Sequence, residues 1–390
     1  MKEYNRVYAE INLDAICHNV RAMKNNIKKD TMLCGVIKAD GYGHGAVPIA
    51  RAIETMVWGY SVATIDEAIN LREHQLEKPI LVLGYTPVCR MEDAVRYNIR
   101  STIFQYEKAV NLSKQAVLQG KTARLHIKID TGMSRIGVPA DYEAIKLIKE
   151  IKNLPGVEIE GIFTHMATAD SADKSAAKEQ IRKFKWLIGV LEKEGSNIPI
   201  KHCSNSAGII DLEEANIDMV RAGISLYGLY PSEDVDKSRV ALQPALELKS
   251  HVIYIKTVPE GTAVGYGGTF ITDRPTKIAT IPVGYGDGYP RPLSNKGYVI
   301  IRDKKVPIIG RVCMDQFMVD VTGIDNVEED DEVILVGRSE HEVISVEELA
   351  ALAGTFNYEF VCDLGKRIPR VYYQGGQIVG KKDYFHDKYE

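Results

Sequence analysis

The sequence predicts an α/β plus β protein: an N-terminal (β/α)8 TIM-type barrel over residues 1–240, then a mostly β C-terminal domain over 241–390. Three observations predict it. Short β-branched apolar runs alternate with helix-period segments through the first two thirds of the chain. Those runs number eight. After about residue 240, strand-like segments follow one another with turn residues between them. A doubly wound open sheet is the competing arrangement for the first part, but it usually has fewer strands.

Residues 5–12 read as an opening strand, and residues 1–12 are expected to pair with the C-terminal domain. Asp14 is expected to cap a helix with Ile16, Val20, Met23 and Ile27 on one face. The barrel strands are placed at 32–37, 58–63, 79–83, 99–103, 123–129, 157–164, 199–203 and 218–226. Helical spacing is clearest at 107–118 and 179–193. Beyond 240, ALELKSHVIYIKTV, KIATIPVG, KGYVIIRDKKVPIIG, RVCMDQFMVDV and DEVILVG read as strands, and only 345–353 reads as a clear helix.

Composition excludes several classes. The chain has 390 residues, 45% apolar and 26% charged, with a net charge of -4. That balance calls for neither nucleic acid nor an anionic membrane surface as partner. No run approaches the length of a membrane span, and the opening residues lack the apolar core of a signal peptide. Six scattered cysteines without a CxxC pair fit reduced thiols in a cytoplasmic protein. The nine histidines form no HxH or HxxxH pattern, so no metal site is expected.

In such a barrel the active site lies at the C-terminal ends of the strands, and the chemically unusual residues fall there. Lys38 ends the first strand, in VIKADGYGHG. Arg135 follows the fifth, His165 ends the sixth, Asn205 and Ser206 end the seventh, and Arg221 and Gly223 belong to the eighth. Each has an ordinary alternative: a solvated lysine, a paired arginine, a core histidine, a helix cap at SNSAG, a bulge at the glycine. Their shared location carries the weight. An amine and a phosphate cup at one mouth are what pyridoxal phosphate requires.

The motifs VIKADGYGHG, KIDTGMSRIG, HCSNSAG, RAGISLYGLYP, VGYGGTF, VGYGDGYPR and GRVCMDQFMVDV together resemble the bacterial alanine racemases, in order and over nearly the whole chain. The resemblance implies pyridoxal 5'-phosphate bound to Lys38 through a Schiff base. Tyr42, Tyr358, Ser206, Gly223 and Ile224 would hold its phosphate, with Asn205 also expected among the cofactor-holding residues. Arg221 would bond the pyridine nitrogen, and His165 would lie beneath the ring and bond Arg221. Arg135 would bond the phenolic oxygen and help orient the substrate carboxylate, with Met314 offering its N–H. Lys38 and Tyr266 would be the two catalytic bases, Tyr266 coming from the partner in a head-to-tail homodimer. Tyr285 would line the entry, with Asp170, Arg291 and Arg311 further out, and Lys128 stands where some members carry a carbamylated lysine. One departure is that Ala39-Asp40-Gly41-Tyr42 stands where A-N-A-Y is often found.

Racemisation exchanges an α-proton between two faces, which two acid–base groups do most directly. A tyrosine hydroxyl ordinarily ionises near pH 10, so a tyrosine base needs activation. Arg221 stays charged and only donates. It would leave the pyridine nitrogen unprotonated and suppress transamination, which suits a racemase. Four rivals are weighed. A regulatory cofactor-carrying barrel would lack residues 241–390. A decarboxylase of this barrel class would place an acid where Arg221 stands. A non-enzymatic binding barrel would leave Lys38 unreactive. The serious alternative is a racemase of another small amino acid such as serine, since exclusion by size discriminates modestly. The expected biological use, implied by resemblance, is D-alanine for peptidoglycan.

Overall fold

The computed structural model describes residues 6–386. Two compact units are present, one of Ala15–Gly41 with Ala46–Pro244, the other of the residues up to Asp14, Tyr42–Gly45 and those from Ala245 on. The division is therefore not one cut in the sequence.

The strands up to residue 222 are β1 (Val7–Asn12), β2 (Met32–Val36), β3 (Gly59–Val62), β4 (Ile80–Val82), β5 (Arg100–Ile103), β6 (Ala123–Asp130), β7 (Val138–Pro139), β8 (Val157–Phe163), β9 (Ile200–His202) and β10 (Met219–Ala222). Eight of them form the parallel sheet β10-β2-β3-β4-β5-β6-β8-β9, with β7 beside β6. The last seam is nearly closed: the Arg221 N–H donates to the Ser204 carbonyl at 3.1 Å. This is the (β/α)8 barrel. Its strands are short and mostly buried on both faces, which is why they read as apolar runs rather than alternations. Helices close each crossover. Tyr142–Lys152 starts at Asp141, whose carboxylate accepts from the Glu143 and Ala144 N–H groups, and it buries Ala144, Ile145, Ile148 and Ile151.

Two local expectations are corrected here. The first helix is Leu13–Asn25, so Asp14 lies in its first turn rather than at its cap, and its carboxylate accepts from the Gly375 N–H. Ile16, Val20 and Met23 are buried on its inner face, but Ile27 falls past its end. The eighth strand is likewise shorter than read: it stops at Ala222, and Ile224–Tyr227 is a 3-10 turn.

The second unit is built on an eleven-stranded sheet. Towards one end of it β1 is an interior strand, antiparallel to Leu246–His251 (Val7↔Ser250, Ile11↔Leu246) and parallel to Arg370–Gln374 (Ala9↔Arg370). The opening strand spans residues 7–12, and residues 1–5 lie outside the described residues. Tyr298–Ile301 and Lys304–Ile309 form a hairpin whose two turn residues, Arg302 and Asp303, both have positive φ, as a tight two-residue hairpin requires. Ser345 caps the helix Val346–Ala353, and a second helix, Asn357–Asp363, was not evident from periodicity because it spans under two turns. Gly43 fits this unit because it lacks a side chain: a Cβ there would lie 2.0 Å from the Val361 carbonyl oxygen. The Gly43 carbonyl accepts from the Arg370 Nε at 2.9 Å.

Candidate active site

Parallel strands point their C-terminal ends to one rim of the barrel. Lys38 follows β2, Arg135 follows β6, His165 follows β8, Asn205 and Ser206 follow β9, and Gly223 and Ile224 follow β10. Lys38 is half-buried and opens a turn, Lys38–Tyr42, that runs left-handed. Ala39, Asp40 and Tyr42 all have φ of 50°, a conformation costing each L-residue roughly 1–2 kcal/mol. Strain of this kind collects at functional sites, where surrounding contacts hold it.

Next to this turn on the rim, where β10 pairs with β2, the Ser206 Oγ accepts from the Gly223 N–H at 2.9 Å and the Ser225 N–H at 3.3 Å. It ties the start of the 3-10 turn to the end of β9. Asn205 caps the helix Ser206–Asp211 through the Gly208 N–H at 3.0 Å, the ordinary role open to it in the sequence. The Arg135 loop is fixed by Asp130, whose Oδ1 accepts from the Gly132, Met133 and Ser134 N–H groups. Arg135 itself is exposed. The Asp170 carbonyl accepts from the Ser232 hydroxyl. Lys128 is buried on β6 and donates to the Ile129 carbonyl at 2.7 Å; burial, and then Arg221, lower its amine to about 8.

Arg221 is the centre of a buried polar chain. One guanidinium nitrogen donates to His202 Nδ1 at 2.8 Å. The other donates to the Thr164 carbonyl at 2.8 Å, the Cys203 carbonyl at 3.2 Å and His165 Nδ1 at 3.3 Å. A guanidinium has no acceptor, so it dictates the protons beyond it. His202 accepts at Nδ1 and must carry its proton on Nε2, which lies 2.9 Å from His126 Nδ1. His126 then donates from Nε2 to Glu160 at 3.1 Å. Arg100 closes the chain with two bonds to the Glu160 carboxylate, at 3.0 and 3.1 Å. Burial holds His165 and His202 well below the usual histidine range and lowers His126, so all three are neutral at pH 7. Burial also brings Arg221 down to about 10, still charged. Space for this chain depends on Gly161, where a Cβ would lie 2.3 Å from the His126 ring.

Glu160 is pushed up by burial, but bonds from His126 and Arg100 outweigh that and hold it at about 2. A depressed carboxylate stabilises the fold above its unfolded pKa and ceases to do so as pH falls through the folded one. Glu160→Gln is therefore expected to cost about 3 kcal/mol at pH 7, most of it vanishing between pH 5 and pH 2. Thermal melting of both proteins across that range checks this; a constant gap contradicts it.

His126, His202, Glu160 and Arg100 were not singled out from the sequence. One signal was present: HIKID places His126 and Lys128 on one face of a strand inside an apolar run, and such residues are rarely buried unpaired.

The second unit carries the remaining residues. The Tyr42 and Tyr358 rings lie 6.1 Å apart, and Phe356 packs against Tyr358 at 5.5 Å. Tyr266 opens the turn Tyr266–Gly268 and is 73% exposed. Tyr285 and Met314 are also exposed, on loops joined by the Tyr285 N–H to the Cys313 carbonyl (3.0 Å) and the Gly286 N–H to the Met314 carbonyl (2.9 Å). Tyr266, Tyr285, Arg291, Arg311, Val312 and Cys313 line a cavity of about 330 Å³.

Both parts of the chain match known families: the alanine racemase N-terminal domain over residues 11–231 and the alanine racemase C-terminal domain over residues 245–372. The chain belongs to the alanine racemase family. Alanine racemase 2 of Caldanaerobacter subterraneus is 46% identical over 96% of this chain and 97% of its own length. Alanine racemase of Clostridium tetani is 44% identical over 98% and 99%. Among solved structures, alanine racemase of Clostridium difficile 630 superposes with a TM-score of 0.95 at 41% identity, covering 98% of this chain and all of that one. Alanine racemase of Bacillus anthracis with bound L-Ala-P gives 0.93 at 35% identity, covering both chains fully. The alanine racemase fold, a barrel and a mostly β domain, is the one built above. Among the described residues no helix is long and apolar enough to cross a membrane.

Proposed function

We propose that the chain interconverts L- and D-alanine with pyridoxal phosphate, Lys38 and Tyr266 acting as bases on opposite faces. The observation that carries this is the buried, donor-only Arg221 on the same barrel as a rim lysine and a serine–amide cup. The residues fit the cofactor. The Gly223 and Ser225 N–H groups converge on Ser206, at the start of a helical turn whose first amides have no partner within it, which suits a phosphate. The Ser225 hydroxyl is buried there without a hydrogen-bond partner among the described residues.

When bound, the cofactor withdraws electrons from the substrate Cα and acidifies its proton. Lys38 would hold it covalently, Tyr42 and Tyr358 would join Ser206 at the phosphate, and Arg221 would donate to the ring nitrogen. Because Arg221 stays charged and offers only N–H groups, the ring nitrogen receives no proton. Arg135 and the Met314 N–H would orient the substrate carboxylate. Lys38 Nζ would then take or return the proton on one face and the Tyr266 hydroxyl on the other. Tyr266, exposed on the second unit, would serve the site of a partner subunit in a head-to-tail homodimer. A cytoplasmic enzyme supplying D-alanine to peptidoglycan is part of the same proposal. Serine as preferred substrate has no observation in its favour.

Solvent-deuterium uptake tests the reading. With pyridoxal phosphate in D2O, both alanine enantiomers are expected to interconvert and gain deuterium at Cα, with L-serine much slower. Tyr266→Phe is expected to lower the rate about 10³-fold. Cofactor binding without exchange of either enantiomer would remove the substrate assignment.

A further inference from the structure

We infer that Glu67 is the positioning residue for Lys38, holding the left-handed turn on which that lysine is mounted. The inference rests on the proposed role of Lys38.

Five consecutive residues after Lys38, Ala39 to Gly43, have positive φ, and only Gly41 and Gly43 among them are glycines. L-residues avoid this conformation, so the turn needs anchors outside itself. Three are present. The Gly41 N–H returns to the Ile37 carbonyl at 2.9 Å, the Asp40 Oδ1 accepts from the Ala46 N–H at 2.9 Å, and the Ala39 N–H donates to the Glu67 Oε1 at 2.7 Å. The first two are local. Glu67 alone of the three reaches in from the neighbouring strand connection, in the first turn of the helix Ile65–Glu73.

Its other oxygen is also in use. Glu67 Oε2 accepts from the Ala63 N–H at 2.7 Å and the Thr64 N–H at 3.2 Å, completing a capping box with the Thr64 hydroxyl. One carboxylate thus ties the rim ends of β2 and β3 together at the residue next to Lys38. A carboxylate is required because both oxygens face donors. An amide of the same shape would turn its NH2 toward either Ala39 or the Ala63–Thr64 pair. The capping box accounts for Oε2; it does not account for Oε1, which serves only the turn.

The test compares Glu67→Gln with Thr64→Ala. Thr64→Ala breaks the other half of the box and leaves the Ala39 N–H bonded, so it controls for loss of helix stability. Glu67→Gln is expected to lower kcat for alanine about 100-fold, because a misplaced amine loses its near-attack geometry, and to weaken pyridoxal phosphate binding about 10-fold. Thr64→Ala is expected to lower the melting temperature while kcat and cofactor affinity stay within about twofold. Hydrogen exchange without cofactor reads the turn directly. The Ala39 amide, on an exposed residue, should exchange slowly in the wild type and at least about 10-fold faster in Glu67→Gln. Fast exchange in the wild type, unchanged exchange in the variant, or equal kinetic losses in both variants would each overturn the inference. A wild type that fails to bind pyridoxal phosphate would overturn the proposed function instead, and the exchange data would still decide the role of Glu67.

Discussion

Lys38→Ala is expected to abolish the Schiff-base absorbance near about 420 nm and to lower alanine racemisation by at least about 10³-fold. The size follows from its double duty: the same amine would hold the cofactor and move a proton at Cα. Lys128, buried on β6, does not substitute, since its amine is committed to the Ile129 carbonyl. The variant also tests assembly. Mixed with Tyr266→Phe chains, it should regain activity if Tyr266 acts across a dimer. Each mixed dimer would then hold one site with Lys38 from one chain and Tyr266 from the other, so an equal mixture should recover about a quarter of wild-type activity. No recovery on mixing, with both variants folded and dimeric, would place both bases in one chain.

Arg221→Leu is expected to have the second largest effect, on stability as well as rate. Burying the guanidinium is itself unfavourable, as its lowered pKa shows. Removing it relieves that cost but strips the donor from two backbone carbonyls and two histidine nitrogens in the barrel interior. Each buried acceptor left unpaired costs about 1–3 kcal/mol, so the net loss should be roughly 2–4 kcal/mol. The loss reaches further than the first contacts. Without Arg221, His202 Nδ1 loses its donor, and the Glu160 carboxylate alone, accepting from His126 Nε2, sets the direction of the chain. Nitrogen NMR of the histidine rings should show single tautomers for His126 and His202 in the wild type, and in the variant a shifted His202 Nδ1 signal with the His126 tautomer kept by Glu160. Unchanged ring signals with unchanged stability would show that Arg221 does not govern them.

Sequence reading reached the barrel because eight apolar runs at helical intervals leave few alternatives. The rim residues were legible for the same reason: strand ends fix where Lys38, His165, Ser206 and Gly223 emerge. The interior chain was not, because Arg100, His126, Glu160, His202 and Arg221 sit on five strands and their pairing depends on barrel closure, which no local pattern encodes. Glu67 was hidden differently. Its capping box is a local signal, but the bond to Ala39 spans 28 positions. The left-handed turn after Lys38 was also illegible, since Ala, Asp and Tyr do not advertise positive φ as glycine does. Asp14 was misplaced by one residue at a helix start, where boundaries are least determinate.

The position of β1 inside the second sheet, between two strands made much later, has a consequence for synthesis. Residues 7–12 leave the ribosome about 240 residues before Leu246–His251 and about 360 before Arg370–Gln374, the strands that flank them. At roughly 5–20 residues per second, that segment waits some tens of seconds with both edges open while the barrel behind it is made. Its alternation of buried and exposed positions, with Glu10 outward, keeps it from presenting a uniformly apolar edge in the interval. Excising residues 245–390 as a separate fragment would yield a sheet missing the strand between Leu246–His251 and Arg370–Gln374, and supplying residues 6–12 as a peptide should restore it.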